Sequence, residues 1–426
     1  MTKLSSKLPF GSDAVDWQER INMSRMREAR AARARQVMRK HGIAVMLVTG
    51  GPNCRYLTGV RDAQNRPQLG YVLFFVEHDP VVWAHAGWYH QLQDQEPWIK
   101  NWRIGRSWLQ GGAGPGATAE EAKLFASEIH RELKDRGLTG EKLGIVAFDN
   151  TAREALSELG IKLVDGWPVM LEATAIKTVD EINCFKTVAA IVEAGWYKAW
   201  ETLRPGMRDT DLSSTVIQAL FQAGAEEVPS GVCFYSGPVT FERGFDRGGR
   251  LIQTGDLLYA PMCGVTYLGY RSCTYRTLIA GRKANHKEKD WYKKLLDRID
   301  AVIGAIKPGA TTADAAKHFP PASYWGYKDE AELLTMEIGH GLGIFSYGPP
   351  IINRQWSLKH PQVFEEGMVL GVESREGEFR YGGVRLENMV VVTKDGAEII
   401  DHMPREHILE PEISRYWAMD DNLSKN

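Results

Sequence analysis

The stretch GDLLYAPMCGVTYLGYRSCTYRT, residues 255 to 277, limits the fold more than any other part of the chain. Leu257 to Tyr259 and Arg276 to Ala280 read as short strands rich in apolar and β-branched residues, and Gly264 to Gly269 between them carries turn signals. The expected result is a hairpin with Cys263 and Cys273 on opposite arms. Further on, Met368 to Glu373 and Val384 to Val392 read as apolar strands interrupted by the acids Glu373 and Glu387. A carboxylate in an otherwise buried strand is expensive unless it is paired or coordinates a cation. With Gly339-His340-Gly341, the chain offers two thiols, an imidazole and two carboxylates, a set that suits a borderline-soft ion such as zinc better than manganese or magnesium.

Each of these residues has a plainer reading. Cysteine often serves as a small buried hydrophobe. His340 can be a satisfied core histidine, although flanking glycines are the setting of a backbone that approaches a ligand. Glu373 and Glu387 can pair with Arg385 or Arg375 as structural ions. Cys54, Cys184 and Cys233 show no ligand spacing and are expected to pack.

Several segments fall in a recognisable order: Ile176-Lys177 with Asp180-Glu181-Ile182, Leu203-Arg204-Pro205-Gly206-Met207, the hairpin, GHGLG at 339 to 343, EEGMVLGVES at 365 to 374, and VRLENMVVVTKDGAEII at 384 to 400. In these the C-terminal half resembles the pita-bread superfamily of creatinase, prolidase, aminopeptidase P and methionine aminopeptidase. Pro52 to Gly59 resembles the smaller domain of creatinase-like members more loosely. The resemblance implies an α+β chain, with a creatinase-like α/β domain over 1–175 and a pita-bread domain over 176–426, its duplicated α/β halves surrounding a curved antiparallel sheet. An internal echo agrees: residues 203–212 recur as 306–315, each following a helix and starting another with Asp or Thr placed to cap it.

The departures from the family pattern bear on function. Metallopeptidases of the superfamily hold two ions with two hairpin aspartates, the GHG histidine and two glutamates. His340, Glu373 and Glu387 match the last three. Cys273 stands for the second aspartate, while the first falls on Pro261, on Met262 or, in the frame of the pita-bread dimethylsulfoniopropionate lyases, on Cys263. Tyr347 replaces the second peptidase histidine, Ser346 the lyase base, Gly244 the creatinase histidine, and Tyr275 the glutamate that holds a guanidinium in creatinase. The resemblance therefore implies one divalent ion, zinc, on Cys263, Cys273, His340, Glu373 and Glu387. His340 and Tyr347 are the expected catalytic residues, and Tyr275, Trp88, His85 and His90 the expected substrate contacts. The expected activity is hydrolysis of a C–N bond in a small non-peptide metabolite by a homodimer. The alternatives are a metal-dependent lyase of the dimethylsulfoniopropionate type and a non-catalytic binding protein.

Composition sets the outer limits. A chain of 426 residues with 43% hydrophobic content buries a sizeable core, and a formal charge of -2 lacks the basic footprint of a nucleic-acid binder. No apolar run is long enough to span a bilayer, and Met1 to Phe10 has no hydrophobic signal core. Five cysteines, an odd number, do not suggest a disulfide framework, so a reducing, cytoplasmic location is expected. Asp16 to His41 reads as an arginine-rich helix. Strands at Ala44 to Val48, Gly70 to Val76 and Pro80 to Trp83 then alternate with helical stretches such as Ala119 to Arg136. A break at Leu171 to Thr178 is expected before a long helix from Val179 to Leu203. Trp83, Trp88, Trp98, Trp102 and Trp108 belong to a core or to an aromatic cap over substrate.

Overall fold

The computed structural model describes residues 21–61, 69–242, 249–334 and 338–410. They form two compact units, Asn22–Thr174 and a second beginning at Ala175.

The first unit contains α1 (Met23–Lys40), β1 (Val45–Thr49), α2 (Gly51–Thr58), β2 (Tyr71–Phe75), β3 (Val81–Ala84), α3 (Tyr89–Gln95), β4 (Asn101–Ile104), α4 (Pro115–Asp135), β5 (Lys142–Val146), α5 (Asn150–Glu158), β6 (Lys162–Asp165) and α6 (Trp167–Ala175). The strands make one mixed sheet in the order β4-β3-β2-β1-β5-β6. Every residue of β1, β2 and β3 is buried, as expected of strands covered on both faces. Phe125 and Ile129 of α4 pack with Trp83, Trp108 and Phe148 in the core, so these two tryptophans are structural. α1 starts at Met23, where the Asn22 side chain accepts from the Arg25 N–H; the expected Asp16–Glu19 portion lies outside the described residues. The expected break at Leu171 is displaced. α6 continues to Ala175 because Val169, Met170 and Ala173 are fully buried, which leaves a short connection around Ile176.

The second unit opens with α7 (Val179–Thr202), capped by reciprocal bonds between Thr178 and Glu181, and α8 (Asp209–Gln222). Next come β7 (Tyr235–Ser236), β8 (Leu257–Tyr259), β9 (Thr266–Tyr267), β10 (Tyr270–Arg271), β11 (Thr277–Ile279), α9 (His286–Gly304) and α10 (Thr312–Ala316). The chain ends in β12 (Ile338–Gly341), β13 (Gly348–Ile352), α11 (Arg354–Ser357), β14 (Val369–Glu378), β15 (Gly382–Val392) and β16 (Ala397–Ile399). The main sheet runs β13-β12-β14-β15-β16, entirely antiparallel, and β11-β8-β7 forms a smaller sheet. Leu295, Ile299 and Val302 of α9 pack against Leu370, Val372, Leu386 and Val390 of β14 and β15, so the helix covers one face of the central pair.

The internal echo is structural. Gly206 and Gly309 both have positive φ, +88° and +83°, at equivalent turns after α7 and α9. Their N–H groups donate to Ile252 O and Phe364 O, and Asp211 and Asp314 then cap α8 and α10 through Arg208 N and Thr311 N. Two halves of similar local design thus frame the sheet.

Close packing of strands explains the glycines of the GHG segment. A Cβ at Gly341 would overlap the backbone carbonyl of Pro349 in β13, whereas one at Gly343 would meet nothing nearer than 3.8 Å. Gly341→Ala is expected to cost about 1–3 kcal/mol in urea denaturation, while Gly343→Ala changes stability by about 0.5 kcal/mol or less.

Candidate functional site

The site is assembled where the hairpin meets the middle of β15. The Arg276 side chain is fully buried, and its Nη1 donates to the carbonyls of Tyr275 and Glu387 at 2.9 and 2.8 Å. Nη2 is paired with Asp401, whose carboxylate also accepts from Asn388 Nδ2 and Met389 N. One residue on, Thr277 Oγ1 donates to Arg385 O and accepts from Arg385 N, both at 2.8 Å. These bonds fix Tyr275 opposite Glu387 in a single bridge.

With the return arm held there, the hairpin register decides where the cysteines fall. Met262 N donates to Thr274 O and Gly264 N to Ser272 O, so Cys263 and Cys273 lie directly opposite, at a position without cross-strand backbone bonds of their own. Side chains are closest at such positions. The two sulfurs are joined in a disulfide. Cys263 Sγ also stands 3.4 Å from Glu387 Oε2. Met262 is fully buried, with its sulfur toward Gly195 of α7. Of the positions considered for the first family aspartate, Met262 thus faces α7 and Cys263 stands against Glu387.

The rest of the set comes from β12, β14 and β15. Glu373 and Glu387 are direct partners across β14 and β15, and His340 on β12 pairs with Gly371 on β14. His340 and Glu387 are fully buried, with Nε2 to Oε1 at 3.5 Å. Gly371 makes this approach possible, because a Cβ there would lie 2.6 Å from Glu387 Oε1 and 3.3 Å from the His340 ring. That glycine is a functional position that reading by residue type missed; its signal was its place two residues before Glu373. The Tyr347 ring lies 4.5 Å from the His340 ring, with the residue 48% exposed, so it sits at an open side of the site. Tyr275 is buried and packs edge-on to Tyr259. His85, Trp88 and His90 belong to the first unit, where the His85 ring lies tilted against Trp88 and His90 meets Tyr89 edge-on. Of the plainer alternative, pairing of Glu373 or Glu387 with Arg385 or Arg375, the Arg385 part is not formed among the described residues, and the Arg385 guanidinium lies over the Tyr259 ring.

Residues 183–394 match the model of metallopeptidase family M24, and residues 30–169 match the creatinase/prolidase N-terminal domain. The chain belongs to the pita-bread superfamily. Among curated relatives, it is 25% identical to an Xaa-Pro dipeptidase of Pyrococcus horikoshii over 68% of this chain and 87% of that one. It is 26% identical to an uncharacterized peptidase, YqhT, of Bacillus subtilis over 86% and 96%. A crystal structure of prolidase from Thermococcus sibiricus superposes with a TM-score of 0.72 at 23% identity, covering 90% of this chain and 98% of that one. The pita-bread fold and its creatinase-like N-terminal domain are thereby established.

These relatives correct the expected activity. They are named as peptidases, and the family model is one of metallopeptidases, which displaces C–N hydrolysis of a non-peptide metabolite together with the lyase and non-catalytic alternatives. What holds is the coarser statement: a hydrolase of the creatinase and prolidase type, in a family that works with divalent metal.

The donor set fits such a metal in one covalent state only. Thiolates bind metal, and sulfurs bonded to each other are not thiolates. Among the described residues, the donors of Cys263, Cys273 and Glu387 form the one set of three that lie within 4.8 Å of one another. As a disulfide this set offers a single carboxylate. As a dithiol it offers two thiolates and a carboxylate, with His340 and Glu373 beside it. The structure thus corrects the expectation of two free thiols here, while Cys54, Cys184 and Cys233 are buried and not disulfide-bonded.

Two outcomes follow. Thiol titration of the unfolded protein should find three reactive groups before reduction and five after it. Gly371→Ala should be destabilising, and Glu387→Ala should relieve part of that cost; in a denaturation cycle the coupling between the two should exceed about 0.5 kcal/mol.

Proposed function

We propose that this chain is a peptidase of the prolidase kind that hydrolyses a short peptide, and that its working form is the dithiol. The observation that carries this reading is the convergence of the Cys263, Cys273 and Glu387 donors within 4.8 Å, with His340 Nε2 3.5 Å from Glu387 and Glu373 paired with Glu387 across the two strands. In the reduced state Cys263, Cys273 and Glu387 would hold one divalent ion together with His340 and Glu373, and the thiolates favour zinc. Bound there, such an ion polarises a carbonyl and lowers the pKa of water.

The chain's own residues supply the rest. Glu387 is held by its backbone, through Arg276 to the carbonyl and Tyr275 to the N–H, so its carboxylate keeps its position without the metal. In this reading Tyr347 gives its Oη proton to the leaving nitrogen, which its half-exposed position against the His340 ring supports. His340, wholly buried, orients that phenol from behind. The proposal includes a homodimer, a cytoplasmic setting and a substrate contact from Tyr275. A reducing cytoplasm would keep the working form populated. Among the described residues no helix is long and apolar enough to cross a membrane.

The test uses protein reduced by a dithiol and desalted without oxygen, beside the untreated disulfide form. The reduced protein should take up about one equivalent of zinc or cobalt, the cobalt form showing a thiolate-to-metal absorption band, and should release proline from glycylproline. The oxidised protein and Cys263→Ser/Cys273→Ser should do neither at the same metal concentration. Equal uptake by all three forms, or no cleavage of any dipeptide in a broad panel by the reduced, loaded protein, would overturn the reading.

A further inference from the structure

Arg271 ties the hairpin that carries the cysteines to the segment that carries Tyr347. It ends β10, two residues before Cys273, and donates twice to that segment: its backbone N–H to Gly343 O and its Nε to Ile344 O, both at 3.0 Å. Two consecutive carbonyls are thus gripped by one residue. They lie between His340 and Tyr347, in a turn where Gly343 N donates to Phe345 O at 3.2 Å. Leu342 and Ile344 are buried, whereas Tyr347, three residues past the gripped carbonyl of Ile344, stands at the open side against the His340 ring.

The same guanidinium rests on the other arm of the hairpin. A Cβ at Gly264 would lie 3.6 Å from Arg271 Nη1, so the side chain passes beside the residue next to Cys263. Ser272 N donates to Val265 O at 2.9 Å and Gly264 N to Ser272 O at 2.7 Å, so the residues around Arg271 on both arms are those that flank the disulfide. Further out the return arm is anchored to α7. Tyr270 Oη donates to Glu181 at 2.7 Å and Trp196 Nε1 to Thr274 Oγ1 at 3.1 Å. Any displacement of the sulfurs therefore falls on the stretch between these anchors and on the arm facing it, and Arg271 touches both.

We propose that Arg271 is a positioning residue that couples the state of the Cys263–Cys273 pair to the loop of Tyr347. Reduction by a dithiol breaks the S–S bond, gives each sulfur a proton and leaves the reagent as a disulfide. Sulfurs no longer bonded stand at contact distance, about 3.5–4 Å, in place of about 2 Å. The arms take up that difference where Gly264 meets Arg271, and Gly264, at a φ of +83°, is free of the side-chain limits on turning there. The guanidinium moves with them and pulls on Ile344 O, and a hydrogen bond weakens steeply as its angle closes. The disulfide form thus holds the loop, and the dithiol form loosens it. This rests on the dithiol as the working form, and adds the route by which the change reaches Tyr347.

Hydrogen exchange read by mass spectrometry tests the coupling without metal or substrate. In the wild type, peptides covering 342–348 should exchange about threefold or more faster after reduction and oxygen-free desalting. In the disulfide form of Arg271→Met they should already exchange at the reduced wild-type rate, with less than about a further twofold change on reduction. Arg271→Lys, which keeps a donor for Ile344 O, should retain part of the response. Peptides of α9 should hold their rate throughout, which separates a local effect from general loosening. Equal exchange of 342–348 in the two forms of the wild type would overturn the proposal, whether or not the variants fold. So would a full response surviving in Arg271→Met, or an acceleration there that extends equally to α9. Coupling without cleavage of any dipeptide by the reduced, metal-loaded protein would refute the peptidase reading and leave the coupling standing; cleavage without coupling would do the reverse.

Discussion

The site depends on one buried guanidinium. Arg276 joins three separate stretches, the hairpin return at Tyr275, the centre of β15 at Glu387 and the C-terminal segment at Asp401 and Met403. Breaking a buried pair of this kind by removing one partner typically costs 3–5 kcal/mol, because the other charge is stranded. The geometric effect matters as much. Without this junction the hairpin would be held against β15 only by the Thr277–Arg385 bonds and the Glu387 N–H to Tyr275 carbonyl bond, and the placement of Cys263 3.4 Å from Glu387 would be weakened. The chain thus spends a charged, fully satisfied network on position, and leaves the adjacent donors available for chemistry.

Much of this was legible from residue order. The strands around Leu257, Met368 and Val384 and the helix from Val179 announced themselves through apolar runs and a capping pair, and their observed limits differ from the expected ones by a few residues. The meeting of Cys263 with Glu387, and of His340 with Glu387, was also legible, since each lay on an expected strand or turn next to glycine or in an otherwise apolar run. Boundaries set by tertiary packing were not. Helix α6 persists through Leu171 because Val169, Met170 and Ala173 meet a core whose other half is far away in sequence.

The disulfide and the setting of Arg385 escaped for different reasons. Placing Cys263 and Cys273 on opposite arms was correct, but whether they face each other turns on a register of one residue. That register is set by the docking of the return arm on β15, a contact more than 100 residues away in sequence. Pairing of Glu373 or Glu387 with Arg385 or Arg375 is the plainer alternative that the spacing allows. On one strand, however, residues two apart share a face with their heads side by side, and the guanidinium turned to the Tyr259 ring instead. Which neighbour a guanidinium turns to is a property of the folded neighbourhood, so no local pattern could show it.

Replacing carboxylates by cysteines changes what controls the site. Two aspartates opposite each other repel and are held together by cations, so their state is set by metal supply. Two cysteines in the same place attract oxidation, and the bond they form satisfies the position without any ion. Reduction by a dithiol breaks the S–S bond, returns a proton to each sulfur and transfers the oxidised state to the reductant. Cys263, less buried than Cys273, is the sulfur such a reagent reaches first. Loading a divalent ion then displaces both protons, so metal and reductant act in sequence on one pair of atoms. Glu387 contacts the pair in its bonded form and would remain a ligand in the other, which makes it the fixed point about which the two states are exchanged.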